Sequence, residues 1–142
     1  KDLVLPVGGS RNPAHMPFAR EDAFLKMNGP SVFRFATRVI ADSTTRLLDA
    51  LEVSIDEIDL FVPHQANTRI IDHAVEKLGI DPAKVVVNVD RFGNTSSASV
   101  PLAMAEARDQ GRLQPGALCL MIAFGGGLTW ATTVVRYEPV SA

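Results

Sequence analysis

The sequence predicts an α/β domain built on a mostly parallel sheet, and three observations carry that prediction. From Ser31 onward the chain alternates in the order helix, strand, helix, strand, helix, strand, strand. The run Val85-Val86-Val87 has the apolar character of a strand buried in a sheet. The last two strands are separated only by Gly125-Gly126-Gly127, too short for a parallel crossover, so that pair is expected to be antiparallel.

Each element has a local reason. Lys1 to Leu5 reads as a strand already in progress, which points to a chain whose first part is missing. Residues 6–30 are punctuated by Pro6, Gly8, Gly9, Pro13, Pro17, Gly29 and Pro30 and read as a long loop of the kind that serves function. Residues 31–51 carry a helical stripe of Val32, Ala36, Val39, Ile40, Leu47 and Leu51, with Ser31 as the expected N-cap. Residues 54–58 form a short polar turn, and 59–63 a strand that ends at Pro63. Asn67 caps a second helix with Ile70, Ile71, Ala74, Val75 and Leu78 inward and Gly79 as its stop. Asp81-Pro82 opens another turn, with proline at a favourable first helical position. Residues 85–89 are expected to be a strand and 96–110 a third helix, with Pro101 tolerated in its first turns. Residues 118–124 and 128–137 are the closing strands.

Bulk composition narrows the function classes. The 142 residues are 46% hydrophobic and 21% charged, which suits one ordinary globular domain. A net charge of -2 argues against nucleic acid as the main partner. The longest apolar run, 117–124, is of strand length, far short of a membrane span. The lone Cys119 cannot close an internal disulfide, which fits a reducing, cytoplasmic setting.

In parallel α/β sheets, sites gather beyond the C-terminal ends of the strands. Three segments qualify: residues 63–67, 90–96 and 124–127. His64 follows a strand, where an imidazole can donate a hydrogen bond or shuttle a proton; the alternative is a histidine that merely caps the next helix. Asn94 stands on the next strand-to-helix loop, where its amide can donate to a developing oxyanion; alternatively it makes a turn with Gly93. The triple glycine allows close backbone approach to a ligand and exposes N–H donors, or else serves only a tight hairpin. Phe124 and Trp130 suit either the core or a pocket. Cys119 lies in an apolar strand and is expected to be a buried, inert thiol. His15 and His73 lack metal-site spacing, and no metal is expected.

Together these motifs resemble β-ketoacyl-acyl-carrier-protein synthase III. Residues 62–71 (Val-Pro-His-Gln-Ala-Asn-Thr-Arg-Ile-Ile) resemble its histidine motif, 90–101 its asparagine motif, and 123–130 its C-terminal glycine motif. The resemblance implies a thiolase-like fold, of which this chain is the C-terminal half, with a mixed, mostly parallel sheet of five-stranded type flanked by helices. Residues 1–30 would then be the end of a preceding strand and a loop, and 31–142 the α/β core. The N-terminal half, with the nucleophilic cysteine, is absent from this chain.

The implied reaction is a decarboxylating Claisen condensation. An acyl group passes from acyl-CoA to that cysteine, malonyl-acyl carrier protein loses CO₂, and the enolate attacks the acyl-enzyme. The resemblance makes His64 and Asn94 the catalytic donors to the malonyl thioester oxygen and the Gly126 N–H part of a second oxyanion hole. Gly29, Phe33 and Phe124 are placed on the CoA and pantetheine channel. Gln65, Ala66, Asn67, Thr68 and Arg69 are placed on the carrier-protein contact, where Arg69, with Arg34 and Lys77, would form a basic rim toward an acidic carrier; the alternative for each charge is a solvated helix position, the reading preferred for Lys77. Glu76 stands where other members carry a base. The implied partners are the N-terminal half, acyl carrier protein, acyl-CoA and a second copy in a homodimer, with no cofactor beyond the CoA thioester as substrate. Three other readings share these residues: acyl transfer forming an ester or amide, a chalcone-synthase-like reaction that also pairs His with Asn, and a non-catalytic scaffold half.

Overall fold

Asn28 starts the first long helix by accepting the Ser31 N–H on its side-chain oxygen at 3.1 Å. The structure, a computed structural model, describes residues 2–10 and 12–139; Lys1, assigned above to an opening strand, lies outside them. The chain begins with an antiparallel ribbon of β1 (Leu3–Val4) against β2 (Lys26–Met27). There follow α1 (Gly29–Leu51), β3 (Leu60–Pro63), α2 (Thr68–Leu78), α3 (Val89–Phe92), α4 (Ser99–Asp109), β4 (Leu118–Gly125) and β5 (Thr129–Arg136). Helix α1 thus begins two residues before the expected Ser31 cap. Gly29 and Pro30 occupy its first turn, where proline's missing N–H costs nothing.

Side-chain alternation along the strands sorts the molecule into three layers. In β3, Phe61 faces one side with Leu120 and Ile122 of β4, against Ala36, Ile40 and Leu48 of α1 and Ile70, Ile71 and Ala74 of α2. Leu60 and Val62 face the other side with Cys119, against Ala103 and Ala107 of α4 and Leu113. Covered on both faces, β3 has no exposed residue. Within α1 it is Leu48 that is buried, whereas the expected Leu51 is largely exposed.

The sheet is mixed, as expected. Strand β3 pairs parallel with β4, and β4 pairs antiparallel with β5. The strand expected at 85–89 is reduced to one parallel bridge between Val85 and Phe61. The Val86 N–H still donates to the Phe61 carbonyl, but the N–H groups of Asn88 and Val89 turn to the Gln65 side chain, and α3 begins. Among the described residues the main sheet thus has three strands and this bridge, where a five-stranded type was expected, and β1 and β2 form their separate ribbon.

Local chemistry sets most element ends. Asn67 caps α2 by accepting the Arg69 N–H, and Gly79 closes it with a left-handed φ of 67°. The third helix is split: a 3₁₀ turn at Ser96–Ala98 precedes α4, and Pro101 falls in α4's first turn, where no intrahelical donor is required. Trp130 is 51% exposed and meets Phe35 edge-on, so it belongs to neither core cluster. No helix of the described residues is long and apolar enough to cross a membrane.

Candidate active site

His64 is held from both sides. Its backbone N–H donates to the Ile122 carbonyl at 2.7 Å, which extends the β3–β4 pairing one residue beyond Pro63. Its ring is 8% exposed and meets the Phe124 ring nearly perpendicularly, centroids 5.2 Å apart. Its Nδ1 lies 2.5 Å from the Ser99 Oγ at the start of α4. Burial lowers the imidazole pKa from the ordinary 6.5, which favours the neutral ring, with its single N–H, at pH 7.

Asn94 sits between α3 and the following 3₁₀ turn. Gly93, at φ 67°, reverses the chain after α3. The Asn94 Oδ1 accepts the Ser96 N–H at 2.9 Å, which assigns the oxygen inward to the turn and leaves the Nδ2 hydrogens as the donor end. Glu106 of α4 anchors the approach to this loop: it accepts from Asn88 Nδ2 at 2.9 Å and pairs with Arg91. Those two partners hold the Glu106 carboxyl below its usual range.

The glycine turn divides its requirements. At Gly127, φ is 143° and an added Cβ would lie 2.6 Å from the Thr129 Cγ2, so the β4–β5 connection itself demands glycine there. At Gly125 and Gly126 an added Cβ would meet nothing within 4 Å.

These three segments border one cleft of about 1110 Å³. His64, Asn94, Phe124 and Gly126 line it, as do Gly29, Phe33 and Arg34 from α1 and Ala66, Asn67 and Arg69 from the start of α2. The arrangement offers a neutral imidazole, a carboxamide and backbone N–H groups to one space, a set suited to holding an oxygen as it gains negative charge.

Comparison with known proteins identifies the family. Residues 48–137 match the family described as 3-oxoacyl-[acyl-carrier-protein (ACP)] synthase III C terminal. The chain belongs to this family. It is similar to the β-ketoacyl-[acyl-carrier-protein] synthase III of Symbiobacterium thermophilum, 48% identical over 136 residues that make up 95% of this chain and 41% of that protein. It is also similar to the one from Rhodopirellula baltica, 48% identical over 138 residues, 95% of this chain and 39% of that protein. Among solved structures, the Thermus thermophilus synthase III aligns with a TM-score of 0.81 at 45% identity, covering 89% of this chain and 40% of that one. The chain therefore spans about two fifths of the length of the curated relatives it matches.

In this synthase III C-terminal domain, two of the expected carrier-contact residues lie away from the cleft. Gln65 is fully buried, a correction to its expected place on a contact surface. Its Nε2 donates to the Pro63 and Val86 carbonyls, and its Oε1 accepts from Asn88 and Val89, so its amide is consumed inside the fold. Thr68 is exposed at the first turn of α2 but is not part of the cleft wall. Lys77 sits in the last turn of α2, at the opposite end from Asn67 and Arg69.

Cys119 is fully buried in β4, and burial, with the Asp59 carboxylate next in effect, pushes its thiol up to about 11. A thiol so disfavoured as thiolate is no nucleophile at neutral pH. The ribbon contributes Leu3 and Met27 to the cleft, joined by Leu25 just before β2, which was not foreseen, although the length of the loop pointed to a functional segment. Ser99 was also missed as a partner of His64. Nothing in its spacing marks it, since the contact crosses from the end of β3 to α4.

Proposed function

We propose that the full-length protein catalyses a decarboxylating Claisen condensation between an acyl-CoA starter and malonyl-acyl carrier protein. In this reading the present chain supplies the side of the site that stabilises negative charge. A cysteine from the N-terminal half takes the acyl group from CoA as a thioester. Cleavage of the malonyl C–C bond then releases CO₂ and moves the electron pair into the thioester carbonyl. His64 and the Asn94 amide donate to the enolate oxygen so formed. The enolate carbon attacks the acyl-cysteine carbonyl, the Gly126 N–H helps hold that tetrahedral oxyanion, and collapse expels the cysteine thiolate with the β-ketoacyl product.

The observation that supports this reading is that His64, whose burial favours the neutral ring, and Asn94, whose Oδ1 is taken by the Ser96 N–H, line one cleft with Gly126. Gly29, Phe33 and Phe124 on the same cleft suit a pantetheine arm, and Arg34 and Arg69 suit an acidic carrier at the cleft border. The acyl carrier protein that the relatives' names contain is the proposed partner, and a homodimer working in the cytoplasm is the proposed assembly. The likeness to a priming β-ketosynthase of a polyketide pathway, 37% identical with a TM-score of 0.76, leaves both fatty-acid and polyketide initiation within this chemistry.

The test is His64→Ala and Asn94→Ala in the full-length protein, with CO₂ release and β-ketoacyl product both measured. Each variant should lose about 100- to 1,000-fold in rate, the scale of one oxyanion donor. Near-normal rates in both would refute the proposal. Wild-type protein that acylates an alcohol or amine and releases no CO₂ from malonyl thioester would show plain acyl transfer instead.

A further inference from the structure

A buried serine decides which nitrogen of His64 carries the proton. Ser99 is 1% exposed at the first position of α4. Its hydroxyl has one donor hydrogen and two acceptor lone pairs. The Gln65 backbone N–H donates to that oxygen at 3.3 Å and takes one lone pair. The His64 Nδ1 lies 2.5 Å from the same oxygen. If Nδ1 carried the proton, Ser99 would accept twice and its own O–H would be left over. The described residues offer that O–H no other hydrogen-bond acceptor, and stranding it in a buried site is costly. The economical arrangement is Ser99 O–H donating to a bare Nδ1.

We propose that Ser99 is the positioning residue that fixes His64 as the Nε2–H tautomer, so that the ring presents its single proton to the cleft. A neutral imidazole is a donor at one nitrogen only, and the bond made by the other nitrogen selects which. With Nδ1 satisfied by Ser99, Nε2 is the remaining donor. The same hydroxyl ties the Gln65 N–H to the start of α4, so His64 and its loop are pinned to the helix that follows Asn94. The functional part of this inference rests on His64 acting as an oxyanion donor; the tautomer itself does not.

The experiment uses full-length protein labelled with ¹⁵N-histidine, the His64 signals being assigned by their loss in His64→Ala. At neutral pH the wild-type spectrum should show a protonated Nε2 and an unprotonated, hydrogen-bonded Nδ1. In Ser99→Ala the two nitrogen shifts should move toward each other as the tautomers mix. The kcat for malonyl-thioester decarboxylation should fall about 10- to 100-fold with KM nearly unchanged, the scale known for partners that orient metal-bound histidines. A wild-type signal with the proton on Nδ1 overturns the proposal, and so does a folded Ser99→Ala with unchanged shifts and kcat. The wild-type spectrum decides without any variant, should Ser99→Ala fail to fold. If the wild-type enzyme releases no CO₂, the condensation reading fails, while the spectrum still reports the tautomer.

Discussion

Gln65 accepts the backbone N–H of Asn88 on its side-chain oxygen at 2.8 Å, which joins the loop that carries His64 to the segment that leads toward Asn94. The other three bonds of that amide, to the Pro63 and Val86 carbonyls and the Val89 N–H, lie within the same junction. Every donor and acceptor of the side chain is used, in a position with no solvent exposure. Gln65→Leu leaves four backbone groups of this largely buried junction without their partner. It should destabilise the full-length protein by about 3 kcal/mol or more, read as a lower urea midpoint. An unchanged midpoint with only a raised KM for carrier protein would return Gln65 to a contact role.

The burial of His64 predicts a signed pH dependence of stability. Its folded pKa lies below 6.5, so as pH falls through 6.5 the unfolded chain binds the proton first. Stability therefore drops on acidification, and this contribution levels off once the pH is below the folded pKa. Well above 6.5 the ring is neutral in both states and contributes no slope. Unfolding free energies of wild type and His64→Ala, compared across pH, should differ by a constant in that alkaline range. Below it, the wild type should lose stability faster than the variant.

The elements that local chemistry determines were legible in the sequence, and those set by distant side chains were not. Asn67 and Gly79 bound α2 through their own conformational preferences, so the reading at that helix needed no tertiary knowledge. At α1 both Asn28 and Ser31 are good caps, and the choice fell to the one that lets Gly29-Pro30 form the first turn. The Val85 run reads as a strand by composition. It stops because Gln65, a residue from another loop, takes the N–H groups that a longer ladder would need. Convergence of strand ends in an α/β sheet pointed to the segments 63–67, 90–96 and 124–127, the family resemblance singled out His64, Asn94 and Gly126 within them, and all three line one cleft. The bond from Ser99 to His64 depends on how α4 docks on β3, which no periodicity encodes.

Gly126 separates a folding requirement from a ligand requirement. Its neighbour Gly127 must be glycine for the turn, whereas a methyl at Gly126 meets nothing within 4 Å. Gly126→Ala should therefore keep the circular dichroism spectrum and melting temperature of the full-length protein. If the backbone there approaches the reacting carbonyl as proposed, the methyl displaces substrate and costs on the order of 10²-fold in kcat/KM. A fully active, fully folded Gly126→Ala would remove this residue from the oxyanion hole. The Gly127→Ala variant serves as the opposite control, losing stability first.

Asn94 offers a sharper distinction between a turn residue and a donor. Its Oδ1 already accepts the Ser96 N–H, and an aspartate can keep that bond with the same shape and a stronger acceptor. If Asn94 served only the turn, Asn94→Asp would be as active as wild type and no less stable. If its Nδ2 is a donor to the enolate oxygen, the substitution places a carboxylate oxygen where negative charge must develop. Loss of the donor alone costs about 100- to 1,000-fold, and the added repulsion should push Asn94→Asp below Asn94→Ala in the rate of malonyl decarboxylation. In the proposed mechanism, acyl transfer from CoA to the cysteine does not use that oxygen, so it should be much less affected. The ratio of the two half-reactions, measured in each variant, is therefore the quantity that assigns Asn94 its role.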